Sequence, residues 1–385
     1  MRVGFDVSQT GAGKTGCGYL AHGLVHALAA GPEPMDFVFY PQFGDLFWEP
    51  NPASCARPGG GQTGGGQTGP MFKWLDRSRR FWRNPPQDFE ARLGNPDIVH
   101  SNNFFCPKGL KKARLVYTLH DLSFLENPEW STEQNRVGCM EGVFRASLQA
   151  DALLANSQAT LDHFLRVFPH FPRERAWVMH LASRFAPGCP AEPPKRLRGV
   201  EPGTFWLSVG TIEPRKNQIR LVEALAKAGG SAPLVLAGGK GWLMDDMARL
   251  VAELGLGSRV RLTGYVGDAE LAWLYANCLG FVYPSLFEGF GLPVLEAMSL
   301  GAPVVTSDVS SLPEVAGGAA LLADPLDPGS IAQAMRRLEN DPELRAALSR
   351  RSLERAAQFG WDKAARVAAD AYKAALTLPK RNPAP

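Results

Sequence analysis

Ser208-Val209-Gly210-Thr211-Ile212-Glu213-Pro214-Arg215-Lys216-Asn217 and, about 70 residues on, Pro284-Ser285-Leu286-Phe287-Glu288-Gly289-Phe290-Gly291-Leu292-Pro293-Val294-Leu295-Glu296 are the segments on which the reading of this chain turns. Each leaves a short apolar run, Phe205–Val209 or Gly280–Tyr283, crosses a turn and enters a helical pattern. Strand, turn and helix in that order describe a parallel α/β sheet, which binds ligands at the carboxyl ends of its strands. Adjacent cations at such an end, Arg215 and Lys216, beside the N–H groups of a helix start, suit a diphosphate. Gly289 and Gly291 let the backbone approach a ligand closely, and the following helix N-terminus favours phosphate by roughly 0.3–1 kcal/mol. Glu296 falls about two turns beyond Glu288, so the two carboxylates can reach different parts of one ligand.

Outward from these segments the same alternation fills the chain. Val3–Val7 leads into the turn Gly11–Gly18, after which Leu20, Leu24, Val25 and Leu28 recur at helical spacing. Further strands are expected at Asp36–Tyr40, Asp97–His100, Leu115–Leu119 and Ala152–Ala155, then at Leu234–Ala237, Val260–Leu262 and Pro303–Thr306. Residues 186–203 are dense in proline and glycine and read as a linker. The expected division is therefore a Rossmann-like domain over 1–185, the linker, a second Rossmann-like domain over 204–360, and a final helix and tail over 361–385 opened by Trp361. Two domains also suit 385 residues, more than one hydrophobic core usually organises.

Composition removes several classes. A net charge of +3 is too small to imply nucleic-acid binding by bulk charge. The longest uncharged apolar run, Leu271–Phe287, is interrupted by Asn277, Gly280 and Pro284 and is too short to span a bilayer. Asp6 falls inside what would be the apolar core of a secretory signal, and the six cysteines are scattered without a C-x-x-C, so a reduced cytoplasmic setting is expected.

Residues 57–70 hold the pentapeptide Gly-Gly-Gln-Thr-Gly twice and no apolar side chain between Pro58 and Pro70, which describes a mobile loop. Directly after it, Lys73, Arg77, Arg79, Arg80 and Arg83 interleave with Phe72, Trp74, Leu75, Phe81 and Trp82. Such a mixture suits an anionic membrane surface or an acidic lipid-linked acceptor, with Lys73, Trp74, Arg79, Arg80 and Trp82 as the contact residues. The alternative is a surface helix packing its aromatics inward.

Two lookalikes fail on a single residue each. Gly13-Lys14-Thr15 ends like a phosphate-binding P-loop, but the first glycine of that motif would be Ser8. His22 and His26 have the spacing of a zinc-binding H-E-x-x-H, but Gly23 stands where its glutamate would be.

Taken together, G-T-x-E-P-R-K-N at Gly210–Asn217, the pair Glu288 and Glu296, the following Gly301-Ala302-Pro303-Val304-Val305 and the helix opened by Trp361 resemble the retaining GT-B glycosyltransferases of family 4. In the first half, Gly16-Cys17-Gly18-Tyr19 is similar to that family's first glycine loop, and Thr118-Leu119-His120-Asp121-Leu122 to its histidine loop. The resemblance implies two Rossmann-like domains facing a central cleft, with the last helix crossing back to the first. It implies that Arg215 and Lys216 bind the diphosphate, that Glu288 and His120 lie at the transferred sugar, and that Glu296 holds the ribose. Gly16, Gly18, Gly210, Thr211, Gly289, Phe290, Gly291 and Leu292 would line the sugar and phosphates, and Val266 would pass beside the base.

The variant G-T-x-E-P-R-K-N looks most like mannosyltransferases. The resemblance thus points to a hexosyltransferase that takes GDP-mannose and extends a saccharide or lipid-linked saccharide in surface polysaccharide or glycolipid synthesis. UDP- or dTDP-sugars are the alternative donors, and a nucleotide-sugar epimerase or a non-catalytic nucleotide-sugar-binding protein are the alternative functions. The chain contains no D-x-D, so neither a metal nor another cofactor is expected, and the two cations take a metal's place at the diphosphate.

Overall fold

The structure, a computed structural model, describes residues 1–45, 51–58, 66–197, 199–239, 241 and 243–381. Its chain divides into two units, Met1–Ala182 with Gly360–Pro385, and Ser183–Phe359.

The first unit is built on strands β1 (Arg2–Asp6), β2 (Asp36–Tyr40), β3 (Gln67–Thr68), β4 (Ile98–Ser101), β5 (Arg114–Leu119), β6 (Ala152–Ala155) and β7 (Ala176–Val178). They lie in the order β3-β2-β1-β4-β5-β6-β7, and every pair is parallel. The second unit holds β8 (Trp206–Val209), β9 (Leu234–Ala237), β10 (Val260–Gly264), β11 (Gly280–Tyr283), β12 (Val304–Ser307) and β13 (Ala320–Ala323), in the parallel order β10-β9-β8-β11-β12-β13. The strands β4, β6, β9, β11 and β12 are buried along their whole length, as strands are when helices cover both faces of a sheet. Their unbroken apolar sequences follow from that.

In both sheets the strand order reverses beside the first strand of the unit: between β1 and β4, and between β8 and β11. Chain leaving two such neighbours turns away in opposite directions, which opens a crevice at their carboxyl ends. The residues Ser8–Gly18 and Asn102–Phe105 follow β1 and β4, while Gly210–Asn217 and Pro284–Gly291 follow β8 and β11.

The last helix, Trp361–Thr377, begins at the tryptophan and packs on the first unit against helix Gly16–Ala30 and strands β5 to β7. Close approach rests on small residues: Ala364, Ala368, Ala371 and Ala375 are buried along one face. The Trp361 ring lies so near Gly23 that a Cβ there would come within 2.3 Å of it. The helix is further held by Tyr372 on His100 and by the Lys373–Glu33 ion pair.

Three expectations change. Residues 186–203, read as a linker, belong to the second unit: Glu192 N–H donates to Ala269 O at 3.1 Å and Gly203 N–H to Asn277 O at 2.7 Å, so this segment is stitched along helix Asp268–Asn277. Within the glycine repeats expected as one mobile loop, Gln67 and Thr68 pair with Val38 and Phe39 as an edge strand, while 59–65 lie outside the described residues. Trp82, expected as a membrane or acceptor contact, is fully buried and donates its Nε1–H to Gln42 O at 2.9 Å, packed with Phe43 and Phe89. Its neighbour Phe81 is buried too. What the segment presents outward is Met71, Lys73, Trp74, Asp76, Arg77, Arg80 and Arg83, with the Lys73 ammonium over the Trp74 ring, Arg83 paired with Asp45 and the half-buried Arg79 donating to Asp45 O.

Placing a branched side chain under Trp361 should undo the seating of the last helix. Gly23→Leu is expected to destabilise the first unit by about 1–3 kcal/mol in urea unfolding, the usual cost of overpacking. Gly16→Leu, whose Cβ would meet open space, should change it little.

Candidate active site

Strand β8 ends at Val209 and β11 at Tyr283, and the two loops that follow are bound into one structure. Asn217 adopts the left-handed conformation (φ 61°) at the start of helix Gln218–Ala228. Its buried amide donates to Pro284 O at 2.9 Å and to Pro325 O at 2.7 Å, tying the loops after β8, β11 and β13 together. Leu286 N–H donates to Arg215 O at 2.8 Å, and the Ser285 hydroxyl lies 2.9 Å from the same oxygen. Gly210 has φ 146°, a conformation in which a side chain would be strained.

This frame brings Arg215, Lys216 and Glu288 together. Glu288 Oε1 accepts from Lys216 Nζ at 2.7 Å, Ser285 Oγ at 2.7 Å and Tyr283 Oη at 2.9 Å, and pairs with Arg215 at 3.0 Å. Burial alone would raise this acid, but Arg215, Lys216 and the hydrogen bonds outweigh it and hold Glu288 at about 2. The lysine is lowered too: desolvation and the neighbouring Arg215 bring it down, and Glu288 only partly restores it. Arg215 is anchored on both sides, by Phe287 O at 2.9 Å and Glu213 at 2.9 Å. Two cations are therefore fixed at a strand-order reversal before any ligand arrives.

The loop then passes into helix Leu292–Ser299. Gly291, at φ 103°, caps it without a side chain, and a Cβ there would strike Leu312. Gly289 is buried, and so is Phe290, whose ring packs on Phe359, leaving main-chain groups to meet a ligand. Leu292 is half-buried at the first helical position.

Glu296, on the same helix, stands in a different setting. It is 5% exposed, with Arg184 Nε at 2.9 Å from Oε1 and Tyr275 Oη donating to Oε2 at 3.2 Å. Desolvation raises this acid to about 7, even though Arg184 and Tyr275 oppose the rise. Thr211 is exposed, its carbonyl taking a hydrogen bond from Gln218, and Val266 is half-buried on the loop before helix Asp268–Asn277 beside the exposed Tyr265.

His120, Gly16 and Gly18 lie in the first unit. His120 is buried at the end of β5, its Nε2 2.6 Å from Asn102 O. Gly18 is buried against Gln9 O, where a Cβ would come within 2.1 Å, and Gly16 opens helix Gly16–Ala30. The His22 and His26 rings lie 4.2 Å apart and tilted by 33°, and His26 bonds back to His22 O, an intrahelical arrangement. Among the described residues no group of three or more metal-ligating side chains comes together, and no helix is long and apolar enough to cross a membrane.

Sequence reasoning missed Tyr283, Ser285 and Arg184. Tyr283 ends β11 and Ser285 sits on the loop already singled out, and a hydroxyl within five residues of an isolated acid is the signal that could have found them. Nothing in the sequence joins Arg184 to Glu296.

An α/β unit with a carboxylate and two cations at its strand-order reversal is an arrangement able to hold a phosphorylated ligand. Comparison with known proteins gives the class. Residues 37–182 match the model of glycosyltransferase family 4, and residues 194–355 that of the group 1 glycosyl transferases. The chain is 38% identical over 285 residues to O-antigen chain mannosyltransferase B of Escherichia coli, covering 72% of this chain and 74% of that protein. It is 35% identical over 305 residues to D-inositol 3-phosphate glycosyltransferase of Frankia alni, covering 73% and 75%. Among solved structures it is similar to the sucrose-phosphate synthase of Thermosynechococcus elongatus, with a TM-score of 0.72 at 22% identity over 97% of this chain and 98% of that one. This chain belongs to the family 4 glycosyltransferases and has their GT-B fold.

Removing the Glu288 carboxylate should leave Arg215 and Lys216 buried against each other. Glu288→Ala is expected to destabilise the second unit by about 3–5 kcal/mol in urea unfolding, the cost of breaking a buried ion pair on one side.

Proposed function

We propose that this glycosyltransferase is a retaining, metal-independent hexosyltransferase that takes GDP-mannose as donor and extends a saccharide or lipid-linked saccharide. The observation that carries the reading is the Arg215–Lys216–Glu288 cluster at the reversal between β8 and β11. Breaking a sugar–diphosphate bond places extra negative charge on the phosphates, and cations already fixed in position stabilise it without having to reorganise. Arg215, Lys216 and the start of helix Leu292–Ser299 supply that charge, in the role a divalent ion has elsewhere. Glu288, ionised at every working pH, keeps both cations in place and offers its carboxylate to the hydroxyls of the transferred sugar. The departing phosphate oxygen takes the acceptor's proton as the acceptor attacks on the face the nucleotide leaves. Mannose is supported by the relatives: the E. coli protein at 38% identity is named as a mannosyltransferase. Glu296 holds the ribose. The exposed Met71, Lys73, Trp74 and Arg80 form a basic and aromatic surface suited to a peripheral contact with an anionic membrane or a lipid-linked acceptor.

Calorimetric titration with GDP, UDP, dTDP and ADP, with and without EDTA, tests the donor. GDP should bind most tightly and EDTA should leave it unchanged. Preference for UDP or dTDP would overturn the mannosyl reading while keeping the fold and mechanism, and loss of binding in EDTA would overturn metal independence.

The ribose role makes a pH prediction. Glu296 has a folded value near 7 against an ordinary 4.5, so the folded chain holds this proton more tightly than the unfolded one. Its contribution to stability accordingly falls as pH rises through that window. The carboxylate is the stronger acceptor for two hydroxyls, so nucleotide affinity should move the opposite way, tightening by up to about tenfold between pH 6 and pH 8. Glu296→Gln should remove the Glu296 part of that slope, and an unchanged slope would take Glu296 out of the ribose site.

A further inference from the structure

Arg184 stands next to the first residue of the second unit, and its side chain reaches two acids that are far from it in sequence. Its Nε lies 2.9 Å from Glu296 Oε1 and its Nη1 3.1 Å from Asp268 Oδ1. The guanidinium lies over the Phe185 ring at 4.8 Å, and that ring packs on Tyr275, whose hydroxyl donates to Glu296 Oε2 at 3.2 Å. Phe185 is held in turn by its N–H, which donates to Ser183 Oγ at 2.9 Å. Every one of these groups belongs to the second unit.

The arrangement leaves Glu296 half used. A carboxylate offers about four acceptor positions, two on each oxygen. Arg184 takes one on Oε1 and Tyr275 one on Oε2, so a position remains on each oxygen. Adjacent ribose hydroxyls need two acceptors side by side. A protonated carboxyl group cannot supply them, because one of its oxygens then carries a hydrogen to donate.

Burial alone would hold Glu296 in that protonated form, and the groups around it pull in both directions. Facing it are Arg184, from the segment that opens the second unit, and Tyr275 and Asp268, from helix Asp268–Asn277. Tyr275 stays protonated and donates; Cys278, just past that helix, is also neutral, its thiol pushed up to about 12 by burial. Arg184 favours the ionised acid, whereas Asp268 opposes it and competes for the same guanidinium. Asp268 also follows directly on residues 265–267, so Arg184 ties Glu296 to the loop that carries Tyr265 and Val266.

We propose that Arg184 and Tyr275 are positioning residues for the nucleoside part of the donor: they fix the plane of the Glu296 carboxylate, one oxygen each, and leave the remaining position on each oxygen to the two ribose hydroxyls. The inference rests on the ribose role proposed for Glu296 and adds what makes that acid fit for it. Asp268 acts from outside the contact, by setting how much of the guanidinium's charge Glu296 receives.

Calorimetric titration of the full-length protein with GDP and with dideoxy-GDP, which lacks both ribose hydroxyls, tests this; the uridine pair replaces them should UDP be the nucleotide bound. The ratio of the two affinities at pH 8 measures the worth of the hydroxyls, and the wild type should favour GDP by at least about tenfold. Arg184→Gln should cut that ratio about fivefold, as should Tyr275→Phe, and leave the affinity for dideoxy-GDP unchanged. Arg184→Gln should also move the tightening of GDP binding to higher pH, and Arg184→Lys, which keeps the charge, should bring it back. Asp268→Asn, at a side chain 60% exposed, should move the tightening to lower pH. A ratio that Arg184→Gln leaves intact, whether or not both nucleotides weaken, would overturn the proposal while the ribose role stands. Shifts of the same sign in Arg184→Gln and Asp268→Asn would do likewise. A wild type that does not distinguish the two nucleotides would overturn the ribose role and the proposal together, and failure of every nucleotide to bind would overturn the transferase reading as well.

Discussion

Glu288 is a carboxylate taken out of water, and nearly everything around the second crevice exists to make that tolerable. An isolated buried acid would neutralise itself; this one is held at about 2 because two cations and two hydroxyls converge on one of its oxygens. Those groups come from two loops about 70 residues apart in sequence, which meet because the order of strands reverses between β8 and β11. The αL turn at Asn217 and the bond from Leu286 N–H to Arg215 O keep the loops in register. A charge that must be paired thus dictates the backbone around it, and the backbone in turn delivers two cations to the end of a parallel sheet.

The corresponding reversal in the first unit is organised by different means. Between β1 and β4 the buried groups are mostly neutral, and order comes from donors and acceptors that fit in only one sense. Asp6 is the exception, raised to about 6 by burial against the hydrogen bonds from Ser8 and Asn102. A network of neutral groups gives little electrostatic field, but it fixes tautomers and ring orientation.

The sequence made the fold legible because fully buried parallel strands are written as unbroken apolar runs, and turns between them as glycine, proline and charge. The Gly210–Asn217 and Pro284–Glu296 segments were readable for that reason, and so was the helix opened by Trp361. Side-chain direction was not. In Met71–Arg83 the aromatics and cations alternate too closely for periodicity to say which face is inward, and Phe81 and Trp82 turned out to be core while Trp74 stayed outside. The linker over 186–203 misled because proline and glycine also describe a strap laid along a helix with its backbone groups paired. Arg184 was invisible, since only the folded chain brings it to a glutamate more than a hundred residues further on.

Glu288 and Glu296 show why the motif alone does not assign chemistry. They are the same residue type, eight positions apart in sequence, both nearly enclosed. One is held at about 2 and the other raised to about 7. Burial pushes both upward, so the difference lies in what stands opposite. Glu288 faces two cations within 3.0 Å. Glu296 faces one guanidinium, which it shares with Asp268, itself a negative charge that opposes ionisation. The first carboxylate is committed as an anion and can serve as a fixed anchor for cations. The second sits near the point where it gains or loses a proton, so the arrival of hydroxyl groups able to donate to it can tip its state. Spacing put one acid on the loop after β11 and the other on the helix that follows it; the charges supplied by other parts of the second unit set their protonation apart.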